Sequence, residues 1–186
     1  MRMKIQEQNI IQKLKGGKES GLREMFDLYY TPLCVFALKY IDDFDEVEDL
    51  VQDIFVGFWE KKRVNNLTGS LKSYLFTSVR NNALSKMKKE NRFCIESLND
   101  EFDLPDEEAD FDKEAFEIRK QGIYKEIEKL PSQSRKVFEL IIFSNYPYDM
   151  VAQELNISLN TVKTHFSRAL KKLRSSLGVI IAILLS

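Results

Sequence analysis

A helix-turn-helix pattern at residues 151–174 constrains the fold of this chain more than any other feature. The segment reads VAQELNISLNTVKTHFSRALKKLR. The positions at which two crossing helices need apolar side chains are Val151, Leu155, Ile157, Val162 and Phe166. Asn156 stands where the chain must turn sharply, and asparagine tolerates the left-handed conformation better than any residue but glycine. Ser158 can then cap the second helix with its side-chain oxygen. The pattern predicts two helices joined by a tight turn.

The second helix of this pattern has one apolar and one polar side. Helical spacing places Val162, Phe166, Ala169 and Leu173 together on the apolar side. The opposite side and its flanks carry Asn160, Thr161, Lys163, Thr164, His165, Arg168, Lys171 and Lys172. No Asp or Glu occurs from Leu155 to the end of the chain. Hydrogen-bonding groups and cations without acids suit a phosphate-lined groove, so this face predicts DNA binding, and the plainer alternative is a helical hairpin with a solvated basic face.

The composition predicts an all-α protein with two small domains joined by an acidic flexible linker. The chain has 186 residues, 44% of them apolar, with 7 Gly and 4 Pro and without long alternating runs that would indicate strands. Residues 93–114 contain Glu96, Asp100, Glu101, Asp103, Asp106, Glu107, Glu108, Asp110, Asp112 and Glu114, against Lys113 alone. Such a segment repels itself and has few apolar anchors. We therefore expect domains at 1–92 and 115–186 with 93–114 as the linker.

Several function classes find no support in the residues. Cys34 and Cys94 are isolated, which argues against a zinc site or a disulfide framework and for a reducing, cytoplasmic location. We find no nucleophile paired with a base, no phosphate-cradling glycine loop and a single histidine, so we expect no enzyme, no metal, no cofactor and no small-molecule substrate. Residues 1–18 have no apolar core and do not resemble a signal peptide. The apolar run 179–185 is too short to span a bilayer. We expect it to be buried, either continuing the last helix or folding back onto the helix-turn-helix, with an exposed tail as the alternative.

The N-terminal domain has helical patterns at 4–14, 21–40, 46–61 and 70–90. The third begins with Asp45 and Glu48, which resemble a capping box, and carries a continuous apolar stripe. Its opposite face presents Asp49, Gln52, Asp53 and Val56. This face is either solvated surface or a docking site for a basic partner helix with Val56 at its centre. Composition alone favours the solvated surface.

The loop at 61–69 and the fourth helix form a second polar, basic region. Its outward-facing candidates are Lys62, Asn65, Asn66, Thr77, Arg80, Asn81 and Lys88. Amide and guanidinium groups can pair with the edges of unstacked bases and with phosphates, so this region suits single-stranded DNA. Tyr74 and Phe76 could stack on bases, although aromatic residues at this spacing more often belong to the core.

Taken together, these segments resemble bacterial RNA polymerase sigma factors of the extracytoplasmic-function group, within the sigma-70 family. The resemblance covers residues 5–177 and is carried by EDLVQDIFVGFWE at 48–60, SYLFTSVRNNALSKMKKENR at 73–92 and LPSQSRKVFEL at 130–140 together with the helix-turn-helix. It implies an N-terminal sigma domain 2 and a C-terminal sigma domain 4, the latter a winged-helix-like domain of four helices. It also implies promoter-specific transcription initiation with core RNA polymerase.

The resemblance assigns a role to each surface. The face of Asp49, Gln52, Asp53 and Val56 is expected to bind the clamp helices of the largest polymerase subunit, which reverses the preference drawn from composition. The loop and fourth helix are expected to capture and melt the minus-ten element, and the helix-turn-helix to read the minus-35 duplex. The acidic linker would occupy the channel that later holds RNA. An anti-sigma factor is an expected partner.

Two alternative functions remain open at this point. A stand-alone regulator that binds duplex DNA as a dimer would have a similar helix-turn-helix but would give no role to the acidic face of the third helix. A helical adaptor that contacts only proteins would use its basic faces for solubility. The chain also departs from the family pattern, which commonly has Gly at Asn156, Glu at Met150 and Arg at His165. The last departure should change the preferred base and weaken attraction to phosphate.

Overall fold

The computed structural model describes residues 2–89, 113–144 and 146–185, with side chains from residue 5 onward except those of 113–120 and 182. The α-helices are α1 (Arg2–Lys15), α2 (Glu19–Ala37), α3 (Phe44–Glu60), α4 (Leu71–Lys89), α5 (Lys113–Glu128), α6 (Ser132–Ile142), α7 (Tyr148–Leu155), α8 (Leu159–Lys172) and α9 (Leu177–Leu184). Short 3-10 helices cover Arg63–Asn66 and Arg174–Ser176. The described residues contain no β-strand, which confirms the all-α class.

Two compact units contain these helices, α1 to α4 in the first and α5 to α9 in the second. The acidic segment 93–114 lies outside the described residues, as does Cys94, except that α5 begins at Lys113. Cys34 is buried within α2.

The start of α3 corrects one prediction from the sequence. The capping residue is Asp43, whose side chain accepts hydrogen bonds from the backbone N–H groups of Asp45 at 3.0 Å and Glu46 at 3.1 Å. The predicted capping box of Asp45 and Glu48 is therefore wrong, because the helix begins at Phe44 and Glu48 lies one turn inside it, 3% exposed. Asp43 satisfies two of the four N–H groups that a helix start leaves without partners.

In the first unit, α2 packs against α1, α3 and α4. Its buried residues include Met25, Tyr29 and Leu33. Gly21 permits the close approach of α1, since a Cβ at that position would lie 2.8 Å from Lys13 Cβ and 2.9 Å from Leu14 N. These distances are too short for real contacts, so a side chain at this position would push the two helices apart.

A carboxylate from α1 stabilises the first turn of α4. Glu7 accepts hydrogen bonds from the backbone N–H of Leu71 and from the hydroxyl of Tyr29, the latter at 3.1 Å. A negative charge at a helix N-terminus also interacts favourably with the helix dipole. Glu7 therefore holds α1, α2 and α4 together and fixes where α4 begins.

In the second unit, α6, α7 and α8 pack against one another around Phe138, Val151, Val162 and Phe166, all fully buried. The apolar C-terminal run forms α9, which contacts α5 and α6 and buries Leu177, Ile180 and Ile181. The expectation of a buried end is confirmed, but the run forms a separate helix whose main helix contacts are α5 and α6 rather than the helix-turn-helix. The unit has one helix more than the predicted four, and its described residues include no β wing.

Within the described ranges, none of the helices is long and apolar enough to cross a membrane.

Candidate nucleic-acid and partner-binding surfaces

The turn between α7 and α8 has the geometry that the sequence predicts. Asn156 is left-handed, with φ 51° and ψ 49°. The N–H of Ile157 donates to the carbonyl of Ala152 at 3.0 Å, and the N–H of Asn156 donates to that of Gln153 at 3.2 Å. This pair of bonds is a Schellman motif. Ser158 caps α8 by accepting from the N–H of Thr161 at 3.1 Å. The turn therefore fixes the direction of α8.

The two sides of α8 differ as expected. Val162, Phe166, Ala169 and Leu173 are buried. The predicted DNA-facing residues are exposed or partly exposed: Asn160, Thr164, Arg168, Lys171 and Lys172 are exposed, and Thr161, Lys163 and His165 are partly exposed. The exposed side of α8 thus presents amide, hydroxyl and cationic groups without a carboxylate.

Side-chain hydrogen bonds within the protein already engage Thr161, Thr164 and His165. The hydroxyl of Thr164 donates to the carbonyl of Asn160 at 2.9 Å, and Thr161 Oγ1 lies 2.7 Å from Ser158 Oγ. Nδ1 of His165 lies 3.1 Å from the hydroxyl oxygen of Ser134 on α6. These side chains are therefore held in defined positions, and one ring nitrogen of His165 is already engaged.

The loop after α3 borders an open cavity of about 450 Å³. Lys62 has a left-handed backbone with φ 45°, and the 3-10 helix that follows buries Val64 while exposing Asn65 and Asn66. The cavity is lined by Leu14, Lys15, Gly17, Phe58, Trp59, Glu60, Lys62, Val64 and Asn65. Partly exposed Trp59 beside an amide and two lysines suits a planar, polar group attached to a phosphate, with the two lysines outweighing the single carboxylate of Glu60. Sequence reasoning identified Lys62 and Asn65 but missed the contribution of the end of α1.

The outer face of α4 carries the other residues predicted in this region. Thr77, Arg80, Asn81 and Lys88 are all exposed. Phe76 is 1% exposed, and its ring centroid lies 5.1 Å from that of Phe36, so it belongs to the core and cannot stack on a base. Tyr74 is partly exposed, with its ring edge against Phe58 at 5.3 Å.

The face of α3 presents one apolar residue among polar ones. Val56 is 52% exposed, and Asp49, Gln52 and Asp53 are also exposed. An exposed valine surrounded by carboxylates and an amide has the composition of a small interface with a polar rim.

Two aromatic residues of α2 lie behind this face and were not identified from the sequence. Tyr30 donates a hydrogen bond to the buried carboxylate of Glu48 at 2.8 Å. Burial raises the pKa of the Tyr30 hydroxyl, the neighbouring Cys34 and Glu48 raise it further, and a hydrogen bond with Gln52 acts in the opposite direction. Tyr30 therefore remains protonated and donates to Glu48. Phe26 stacks on Tyr30 with a centroid distance of 4.3 Å and is 37% exposed. The signal in the sequence was an aromatic residue, Phe26, next to the buried row of Met25 and Tyr29 rather than within it.

No group of three or more potential metal ligands occurs among the residues that the structure describes.

The described residues form a helical protein with a helix-turn-helix in one unit and a basic, amide-rich region in the other. Residues 25–93 match the family model described as sigma-70 region 2, and residues 120–173 match sigma-70, region 4. Together the two models cover well over half of the chain.

Curated relatives match along most of the chain. The sigma factor RpoE of Cereibacter sphaeroides, of the extracytoplasmic-function group, is 24% identical over 163 residues, covering 86% of this chain and 88% of that protein. SigZ of Bacillus subtilis is 26% identical over 161 residues, covering 84% and 87%. SigL of Mycobacterium tuberculosis is 23% identical over 157 residues, covering 84% and 88%.

Two solved structures are also similar. CnrH in complex with the cytosolic domain of CnrY is 19% identical, with 91% of this chain and 96% of that chain covered and a TM-score of 0.39. RpoE in complex with the anti-sigma factor NepR from Bartonella quintana is 28% identical, with 83% and 95% covered and a TM-score of 0.33.

The chain belongs to the sigma-70 family of RNA polymerase sigma factors, in its extracytoplasmic-function group. It is a promoter-recognising factor that works with core RNA polymerase in transcription initiation. The alternative of a stand-alone dimeric regulator is not favoured, because the sigma-70 region 2 match covers helices for which that alternative has no role.

Proposed function

We propose that this sigma factor divides promoter recognition among three surfaces in two domains, 1–92 and 115–186, with 93–114 as the linker. In this proposal α8 reads the minus-35 duplex, the loop 61–69 and α4 open and hold the minus-ten element, and the outer face of α3 binds the clamp helices of the largest polymerase subunit.

The proposal for α8 is supported by its fixed direction and its one-signed surface. Thr161, Thr164 and Arg168 are the candidates for base edges, since they lie on the side opposite the buried residues. Lys163, Lys171 and Lys172 are assigned to phosphates, where a flexible ammonium group suffices. His165 lies between the residues assigned to bases and those assigned to phosphates. Asn160 lies in the first turn of α8, where it can reach either a base or the DNA backbone.

The proposal for the minus-ten region is supported by the cavity beside the loop. A flipped base costs a few kcal/mol to unstack, and a pocket with aromatic walls and an amide can offset that cost. Partly exposed Trp59 supplies the aromatic wall, Asn65 supplies the amide, and Lys15 and Lys62 lie where they can contact the phosphate. Arg80 and Asn81 on α4 are exposed for contact with the neighbouring nucleotides, with Asn66, Thr77 and Lys88 beside the path of the strand.

The proposal for α3 is supported by the exposure of Val56 within a polar rim. Apolar burial of Val56 against the partner would stabilise the complex, and Asp49 and Asp53 would select a basic partner helix. Behind this face, Tyr30 of α2 donates a hydrogen bond at 2.8 Å to the buried carboxylate of Glu48, which links α2 to α3.

The observation that carries the whole proposal is the presence of all three surfaces in one chain. The test is in vitro transcription by core polymerase on a promoter library, with and without this protein. We expect new, discrete start sites only in its presence. If core polymerase gives the same start sites with and without the protein, the proposal is wrong.

Two pairs of variants separate the roles of the surfaces. Asp53→Ala should reduce polymerase binding, whereas Asp27→Ala, which removes an exposed carboxylate from α2, should not. Arg168→Ala should reduce binding to the minus-35 duplex, whereas Lys125→Ala, which removes an exposed cation from α5, should not. Equal losses within either pair would indicate a general effect of charge.

We further propose that the protein acts in the bacterial cytoplasm, carries out no bond chemistry of its own and is held inactive by an anti-sigma factor. A protein that co-purifies with this chain from its source cells and suppresses the transcription assay would be that partner. If no co-purifying protein suppresses transcription, this expectation fails.

A further inference from the structure

A hydrogen bond joins the recognition helix to a neighbouring helix through buried Ser134. The hydroxyl oxygen of Ser134 lies 3.1 Å from Nδ1 of His165, and Ser134 is 2% exposed. His165 itself is partly exposed and lies on the flank of α8, between the buried side and the side that carries Arg168. His165 is the only histidine in the chain.

The direction of this bond follows from the burial of Ser134. A serine hydroxyl has a proton to donate, and a buried donor without an acceptor is costly. Within the described residues, Nδ1 of His165 is the one hydrogen-bond partner of this hydroxyl. With a neutral ring, the arrangement that leaves no buried proton without an acceptor has Ser134 donating to Nδ1. A neutral imidazole has a single ring proton, which is then on Nε2.

We propose that Ser134 is a positioning residue that fixes the ring of His165 and holds its proton on Nε2, so that α8 presents one directed N–H donor to DNA. This inference rests on the proposed reading of the minus-35 duplex by α8. Nε2 has no partner among the described residues and lies across the ring from the atom that faces Ser134.

The ligand of this donor is an acceptor atom on duplex DNA. Phosphate oxygens and the N7 and O6 atoms of guanine are acceptors that the major groove and its rim display. A ring that is already held by Ser134 loses less conformational freedom on binding than a free side chain does. A donor held in one direction by packing also differs in kind from the exposed cations Lys171 and Lys172 on the same helix.

Nuclear magnetic resonance can test the assignment of the proton directly, because the full chain labelled with ¹⁵N-histidine gives signals from one imidazole. For the neutral ring we expect only the Nε2–H form. Ser134→Ala should shift the Nδ1 signal toward that of an unprotonated ring nitrogen that accepts no hydrogen bond. An Nδ1–H form in the unaltered protein, or an Nδ1 signal that Ser134→Ala leaves unchanged, would overturn the inference.

Binding to DNA provides a second test with a matched pair of variants. The glutamine amide places its polar atoms near the position of Nε2, and the asparagine amide places them near that of Nδ1. On the strongest promoter from the library, His165→Gln should therefore keep most of the affinity of the holoenzyme. His165→Asn should weaken it about three- to tenfold, the effect of one hydrogen bond. If His165→Asn weakens binding equally on all promoters, the acceptor is a phosphate; if it changes the preferred base at one promoter position, the acceptor is a base. Equal affinity of the two variants would refute the inference.

A double-mutant comparison separates positioning from general stability. Ser134→Ala should weaken binding about threefold in the presence of His165 and have no effect in the His165→Ala background. A loss that persists without His165 would show that Ser134 acts only on the fold. If the unaltered holoenzyme gives no promoter-specific binding at all, the proposed function fails, whereas specific binding with indistinguishable variants refutes only this inference.

Discussion

At the scale of single residues, the turn before α8 shows how one backbone conformation selects its side chain. A left-handed conformation crowds Cβ against the following carbonyl oxygen, and only glycine avoids that penalty fully. Asn156 adopts φ 51° and is followed by the two bonds of the Schellman motif. The sequence predicted this conformation because asparagine, after glycine, is the residue that most often ends an amphipathic helix in the left-handed region.

Asn156→Ala should therefore destabilise the protein by about 1 kcal/mol, because alanine tolerates the left-handed region less well than asparagine does. Asn156→Gly should leave stability within about 0.5 kcal/mol of the original, because glycine has no Cβ to crowd but is more flexible when unfolded. Chemical denaturation of the full chain measures both. Equal destabilisation by the two substitutions would mean that the turn does not depend on this conformation.

The bond between Tyr30 and Glu48 supports a second prediction at this scale. Tyr30→Phe removes a donor from a carboxylate that is 3% exposed, and we expect a loss of about 1–2 kcal/mol of stability. Tyr74→Phe is the control, since the hydroxyl of Tyr74 makes no hydrogen bond within the described residues. Denaturation midpoints that fall equally for both variants would argue against the role of this bond.

At the scale of helices, the sequence predicted which segments are helical and which side of each helix is buried better than it predicted the residue at which each helix begins. The apolar stripe of α3 and the two sides of α8 repeat at helical spacing, so their orientation can be read from the chain alone. The cap of α3 and the support of α4 could not be predicted as reliably. The cap of α3 is Asp43, two residues before the predicted Asp45, and Glu7 acts on Leu71 across a sequence separation of 64 residues. Contacts of that kind depend on how helices pack and leave no local pattern.

The same limit applied to the candidate sites. Exposed residues of one helix, such as Arg80 and Asn81, share a face that helical spacing reveals. The cavity beside the loop also needs Leu14 and Lys15 from α1, and the His165 ring is set by Ser134 from α6. Both depend on packing between helices, which the spacing of residues in one helix cannot show.

The contact of Glu7 with the start of α4 gives a prediction at this scale. Glu7→Ala removes the acceptor of the Leu71 N–H and of the Tyr29 hydroxyl together. We expect a loss of about 2–3 kcal/mol, and Glu7→Gln should lose less because its carbonyl oxygen can still accept one of the two bonds. Hydrogen exchange at the first turn of α4 measures the local effect. Unchanged exchange at Leu71 in the Glu7→Ala protein would contradict the role of Glu7 in starting α4.

At the scale of the whole molecule, the distribution of charge matters more than its sum. The formal net charge is only −1, yet the exposed sides of α4 and α8 are basic while residues 93–114 are acidic. Because the net charge is close to zero, the chain as a whole has little general attraction to DNA. Each basic face should therefore bind DNA mainly where the polymerase brings the two together. Promoter binding should therefore depend on which surface meets which form of DNA.

Two substitutions and two DNA probes test this division of labour in the holoenzyme. Arg80→Ala should weaken binding to a single-stranded minus-ten oligonucleotide from a library promoter about tenfold, because α4 would lose a contact with unstacked bases. The same variant should bind a duplex that carries only the minus-35 element normally. Arg168→Ala should show the reverse pattern, since its contact is with the duplex groove, again with a loss of about tenfold. Fluorescence anisotropy at fixed salt measures all four affinities. If each variant weakens binding to both DNAs equally, the two basic faces act as one general electrostatic surface and the proposed separation of duplex reading from strand capture is wrong.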